Sequence, residues 1–265
     1  MPVARVSGVE LYYRLDGDEN AAQTIVFSNS LSSNLSMWDA QISAMVAAGY
    51  RTVRYDTRGH GQSSSPPGPY CIEQLVDDLC ALLDHLALSR VHLCGLSMGG
   101  MVAQAMAVAQ AERLNSVLLC STAAYMNPPG VWDQRIAAVD EGGMGAVADG
   151  TIERWFTPQG IESLAEDVAR IRDGIMGTSV AGYAACCAAI RDMDQREAIK
   201  QLSLPVLVVV GEQDPGTTVA HATDMHERIG GSSLVVIPQA RHFVNVERAT
   251  EFNRALLDFL GRTAA

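Results

Sequence analysis

The sequence predicts an α/β fold: a mostly parallel, twisted sheet covered by helices on both faces, with a helical cap inserted into it. Three observations carry this reading. Short, continuous apolar runs alternate with helical segments, as expected of strands buried on both sides. One such run, Val91-His92-Leu93-Cys94-Gly95-Leu96, turns abruptly at Ser97 into Met98-Gly99-Gly100, matching the G-x-S-x-G pattern of a strand-to-helix elbow. Between residues 124 and 199 the rhythm stops: short helical stretches rich in alanine and glycine replace the strand runs. The chain therefore divides into a first core part (1–123), a cap (124–199) and a second core part (200–265).

The alternating segment Arg5 to Arg14, with its Ser7-Gly8 pair, predicts an N-terminal hairpin. Thr24-Ile25-Val26-Phe27 is a buried strand leading into the polar stretch Ser28 to Ser33, and a helix is expected from Met37 to Ala48. Arg51 to Tyr55 is the next strand, followed by the loop Asp56-Thr57-Arg58-Gly59-His60-Gly61-Gln62-Ser63. Ile72, Leu75, Val76, Leu79, Leu82, Leu83 and Leu86 mark one face of a helix over 72–88. After the Ser97 elbow come a helix to about Ala111 and the strand Ser116 to Cys120. Beyond the cap, Val206–Val210 and Ser233–Ile237 are strands, with helices over 218–229 and 250–260.

Composition narrows the function. With 48% hydrophobic and 18% charged residues among 265, the chain can bury a substantial core. No signal-like segment or apolar run of membrane-spanning length is evident, and a cytoplasmic protein is expected. A formal charge of −11 argues against nucleic acid and anionic membranes as partners. It also requires that an anionic small substrate be met by a locally placed arginine. The six cysteines form no C-x-x-C pair, so neither a disulfide framework nor a metal site is expected, and no cofactor is implied.

The five-residue elbow pattern arises by chance in roughly one chain in ten, so the residues at the later strand ends must decide. A serine hydroxyl needs a base, usually a histidine oriented by a carboxylate, and in this architecture the order is serine, acid, histidine. Asp214, just past the 206–210 strand, is the expected acid, with Glu212 as competitor. His242, past the last strand, is the expected base. His60 also sits in a strand-end loop, but it precedes Ser97, and a structural role in the floor of the site fits it better. The oxyanion of an acyl-transfer intermediate needs two N–H donors. Met98, next after the serine, supplies one, and Leu31, in the loop after the first core strand, is the expected second.

Together, Gly95-Leu96-Ser97-Met98-Gly99-Gly100, Tyr55-Asp56-Thr57-Arg58-Gly59-His60-Gly61 and the positions of Asp214 and His242 resemble the α/β-hydrolase superfamily over nearly the whole chain. More narrowly, Ser28-Asn29-Ser30-Leu31 with Asn34-Leu35-Ser36-Met37-Trp38 resembles the 3-oxoadipate enol-lactonases; most other relatives carry His-Gly at Asn29-Ser30. Arg154-Trp155-Phe156-Thr157 and the Gly182 to Ile190 segment of the cap fit the same family. Ser32 departs from it, since these lactonases more usually have glycine there. The resemblance implies cofactor-free hydrolysis of a small anionic lactone, 3-oxoadipate enol-lactone, in the β-ketoadipate route of aromatic catabolism. It also implies a cationic partner for the lactone carboxylate: Arg135 with Trp132 as an apolar wall is the first choice, and Arg154 beside Trp155 the alternative. A general carboxylesterase or C–C hydrolase is the rival among enzymes, and a small-molecule receptor the rival outside them. Haloalkane dehalogenases and epoxide hydrolases need an aspartate where Ser97 stands.

Overall fold

The computed structural model describes residues 2–6 and 8–263; Met1 and Ser7, the first half of the expected hairpin turn, lie outside them. Strands β1 (Val3–Val6) and β2 (Val9–Asp16) pair antiparallel, Val6 opposite Val9, with Gly8 at φ +77° where a left-handed residue is needed. Beyond them lie β3 (Thr24–Ser28), α1 (Asp39–Ala47), β4 (Arg51–Tyr55), α2 (Ile72–His85), β5 (Val91–Leu96), α3 (Met98–Ala109) and β6 (Leu114–Cys120). Five helices follow, α4 (Gly130–Gly142), α5 (Gly145–Trp155), α6 (Pro158–Ser163), α7 (Ala165–Met176) and α8 (Val180–Asp192). The chain then returns to the sheet through β7 (Val206–Gly211), α9 (Val219–Arg228), β8 (Ser233–Ile237), α10 (Val244–Glu247) and α11 (Ala249–Thr263).

The strands form one eight-stranded sheet in the order β1-β2-β4-β3-β5-β6-β7-β8, parallel from β4 to β8. β3, β5 and β7 are buried at every position, which is why they read as unbroken apolar runs. α1 and α11 pack together, as do α2 and α3, while α9 packs on β7 and β8.

Two of the departures from the expected helix boundaries have a local physical cause. The first turn of the expected 37–48 helix is a separate 3-10 turn, Leu35–Trp38, because the Asn34 side chain caps it by accepting from the Ser36 N–H at 3.0 Å. The helix expected over 72–88 ends at His85, and Ala87, at φ +53°, leaves the helical region. Among the described residues, no single helix is long and apolar enough to cross a membrane.

The insertion α4–α8 lies over the carboxyl ends of the parallel strands, the end at which open α/β sheets bind ligands. Its last helix docks on the loop after β4 through the backbones of Gly59 and Gly182; a Cβ on Gly59 would stand 2.6 Å from the Gly182 Cα. A buried, bidentate ion pair joins the same loop to α2: Arg58 donates to both oxygens of Asp78, at 2.5 and 2.6 Å, and its guanidinium lies 5.2 Å from the Tyr70 ring centre.

Candidate active site

The elbow is built by three close backbone approaches. Ser97 is held at φ +55°, ψ −115°, a conformation that costs a non-glycine residue roughly 1–3 kcal/mol and stands its side chain off the end of β5. A Cβ at Gly95 would meet the Gly99 carbonyl oxygen at 2.1 Å, and one at Gly99 would meet the Ser28 carbonyl oxygen at 2.1 Å. Gly99 N–H also donates to the Asn29 carbonyl at 2.9 Å, so the start of α3 is tied to the loop after β3. Glycine is required at both positions by space rather than by turn geometry.

The loop after β7 delivers Asp214 and the loop after β8 delivers His242. The imidazole Nδ1 lies 2.8 Å from Asp214 Oδ2, and both residues are buried. The carboxylate is fully engaged: Oδ2 also accepts from the Thr217 hydroxyl at 2.7 Å, and Oδ1 accepts from the Gly216 and Thr217 N–H groups at 2.9 and 3.0 Å. Burial alone would push the Asp214 carboxyl up, but the His242 ring and these donors hold it below the usual carboxylate range. An ionised Asp214 fixes the proton of His242 on Nδ1 and leaves Nε2 as the acceptor. Among the described residues, neither His242 Nε2 nor Ser97 Oγ has a protein hydrogen-bond partner, and both residues line the same pocket.

Ser97, Asp214, His242, Leu31, Trp132, Arg135 and Trp155 all line that pocket, together with Arg154, Thr217, Tyr183 and Met101. Met98 follows the serine at the first position of α3. Neither its N–H nor that of Leu31 has a protein acceptor among the described residues. Trp132 is buried in α4, with the Arg135 guanidinium 4.7 Å from its ring centre. Arg154 donates to the Thr151 hydroxyl at 2.9 Å. Neither arginine is within ion-pair distance of a carboxylate among the described residues, and burial, then the nearby Arg135 charge, lowers the Arg154 pKa. Such a pair of unneutralised cations in a pocket suits an anionic ligand.

The two competitors raised by the sequence lie elsewhere. Glu212 is exposed and accepts from the Gln239 N–H at 3.2 Å, outside the pocket. His60 is buried beneath the loop after β3 and is likewise not among the pocket-lining residues.

Two contributors gave no sequence signal. Thr217 touches both the acid and the histidine, lying 3.1 Å from His242 Nδ1. Glu247 joins the cap to the histidine loop: its carboxylate accepts from the Thr157 N–H at 2.8 Å, the Thr157 hydroxyl at 2.5 Å and the Arg241 N–H at 2.8 Å. Trp155 extends the same seam. Its carbonyl accepts from the Phe243 N–H at 3.0 Å, and its ring stacks on Phe243 with centres 3.8 Å apart.

A serine on a strained elbow beside a carboxylate-held imidazole is the arrangement of a hydrolase working through an acyl-enzyme. The model of the alpha/beta hydrolase family matches residues 25–255, and the chain belongs to that family. It is 44% identical to 3-oxoadipate enol-lactonase 2 of Acinetobacter baylyi over 88% of this chain and 86% of that one. It is 33% identical to 3-oxoadipate enol-lactonase 1 of the same organism, over 96% and 94% respectively. The crystal structure of the enol-lactonase from Burkholderia xenovorans LB400 superimposes with a TM-score of 0.96 at 42% identity, covering 98% of this chain and all of that one. Within the α/β-hydrolases, the chain belongs to the 3-oxoadipate enol-lactonase family.

Proposed function

We propose that this protein hydrolyses 3-oxoadipate enol-lactone to 3-oxoadipate through an acyl-enzyme on Ser97, with His242 as the base and Asp214 as its orienting acid. The observation that carries this reading is the pocket itself. One cavity holds the strained serine, the aspartate-held histidine and two arginines without carboxylate partners. Its relatives supply the name of the substrate.

Ser97 Oγ attacks the lactone carbonyl while His242 Nε2 takes its proton. The carbonyl oxygen, now negative, is received by the Leu31 and Met98 N–H groups. Collapse breaks the ring C–O bond; the proton passes from His242 to the departing enol oxygen, and the enol becomes a ketone. An enol leaves more readily than an alkoxide, which lightens the demand on the general acid. Water then gives a proton to His242, attacks the acyl carbon and releases Ser97 Oγ, which recovers the proton. Arg135, over the Trp132 ring, holds the lactone carboxylate; Trp155 lines the same pocket, and Arg154 adds a second positive charge to it. Residues 124–199 act as a cap unit over the core segments 1–123 and 200–265. All six cysteines are free, and Cys94 and Cys120 lie with sulfurs 3.8 Å apart, unbridged, which fits a reducing cytoplasmic setting.

The test is spectrophotometric loss of the enol-lactone, wild type against Ser97→Ala. Loss of turnover by at least three orders of magnitude is expected in the variant. Equal rates would remove Ser97 from the mechanism, and activity on aryl esters with none on the enol-lactone would favour a general carboxylesterase.

A further inference from the structure

The stretch Ser30-Leu31-Ser32-Ser33 is a tight turn, closed by the Ser33 N–H donating to the Ser30 carbonyl at 3.2 Å and reinforced by the Ser33 hydroxyl donating to the same oxygen at 2.8 Å. Because a trans peptide sets N–H and C=O on opposite sides, fixing the Ser30 carbonyl also fixes the direction of the Leu31 N–H. The third residue, Ser32, lies at φ +58°. Turns of this form favour glycine there, and a residue with a Cβ adopts that conformation at a cost. A turn under strain, carrying a donor whose direction matters, needs an external hold.

That hold comes from a loop nearly thirty residues later. The Ser32 N–H donates to His60 Nε2 at 2.9 Å. The other ring nitrogen, Nδ1, lies 3.1 Å from the Arg58 carbonyl. A carbonyl can only accept, so Nδ1 carries the proton and Nε2 is left as an acceptor. His60 is 1% exposed, and burial lowers its pKa to about 4, so the acceptor persists at neutral pH. The two loops are joined at further points: Asp56 Oδ1 accepts from the Leu35 N–H at 2.7 Å, and Asn29 Nδ2 donates to the Tyr55 carbonyl at 2.7 Å. Those contacts fix the ends of the stretch; His60 grips its middle.

We propose that His60 is a positioning residue: through Nε2 it holds the Ser32 peptide, and with it the Leu31 N–H, in the orientation that receives the oxyanion. It neither lines the pocket nor exchanges a proton with substrate. The inference rests on the reading of Ser97 as nucleophile and Leu31 N–H as oxyanion donor. It also gives the departure at Ser32 a physical account: where an outside acceptor fixes the third residue of the turn, a side chain is tolerated in place of glycine.

The test compares His60→Gln with His60→Asn. A glutamine amide oxygen can reach the Nε2 position, whereas an asparagine reaches only the Nδ1 position and leaves the Ser32 N–H without an acceptor. His60→Leu serves as the acceptor-free arm if the asparagine variant does not fold. Turnover of the enol-lactone and of a neutral aryl ester is measured, with the melting temperature of each variant and Ser97→Ala alongside. The expected result is a ten- to hundredfold fall in kcat without the acceptor on both substrates, KM within threefold of wild type, and recovery to within fivefold in His60→Gln. Wild-type kcat in the acceptor-free variant overturns the proposal, as does an equal loss in the glutamine and acceptor-free variants. An inactive Ser97→Ala beside unaffected His60 variants overturns this inference alone; a fully active Ser97→Ala overturns the reading of the site.

Discussion

The two sides of the pocket are held by opposite means. On the β7–β8 side, side chains hold side chains: Asp214 is gripped by Thr217 and Gly216 and in turn grips His242. On the β3–β5 side the proposed oxyanion donors are backbone groups, Leu31 and Met98, which adjoin two residues of positive φ, Ser32 and Ser97. The first arrangement is a chain of local hydrogen bonds that a single truncation breaks chemically. The second is a matter of space and strain, which an added methyl group breaks geometrically. Each side therefore has its own characteristic failure.

The sharpest break on the first side is Asp214→Asn. The amide can present an N–H to His242 and favours the wrong tautomer, so kcat is expected to fall by about 10⁴ with folding intact. Rate measurements beside a wild-type melting curve check it; a loss under tenfold would remove Asp214 from the mechanism. On the second side, Gly99→Ala places a Cβ against the Ser28 carbonyl. The expected effect is on folding, a loss on the order of 3 kcal/mol or more by urea titration, with activity failing only as the fold does.

The third prediction sharpens the contrast through pH. His60 titrates near 6.5 when unfolded but near 4 when folded, where burial disfavours its charge. Between those values the unfolded chain binds the extra proton, so stability falls as pH drops from 6.5 and the loss levels off below 4. The His60 share between pH 7 and pH 4 is about 3 kcal/mol. His92, buried between Ser116 and Gln23, titrates in the same direction. Urea midpoints at the two pH values are expected to lie closer together in His60→Gln than in wild type; an unchanged gap would mean the ring does not stay neutral. The smallest effect belongs to neither side: Arg135→Ala is expected to raise KM for the anionic lactone several-fold to a hundredfold and to spare neutral esters. Equal losses on both substrates would release Arg135 from that role.

The same contrast explains what could be read from the chain. Side-chain chemistry leaves a mark in sequence, so Asp214 and His242 were accessible from residue type and place after a strand, and the elbow from the spacing of Gly95, Ser97 and Gly99. The buried strands were legible for the same reason, since β3, β5 and β7 are covered on both faces and read as apolar runs. Thr217 was not legible, because a threonine three residues past an aspartate is ordinary loop composition until the fold turns its hydroxyl onto the carboxylate. Glu247 and Thr157 are 90 residues apart, and nothing local announces their bond. His60 could be set aside as the base from chain order alone, but its grip on Ser32 spans a whole strand–helix–strand crossover of the sheet. The 244–247 helix is a single turn, too short to leave a periodic pattern.

The seam between the cap and the histidine loop has a further consequence. Trp155, Thr157, Arg241, Phe243 and Glu247 tie the end of α5 directly to the residues on either side of His242. A substitution that loosens that corner would shift the histidine loop against the cap while leaving the sheet beneath intact. Cap and base thus share one buried corner, and a change made on either side reaches the other through it.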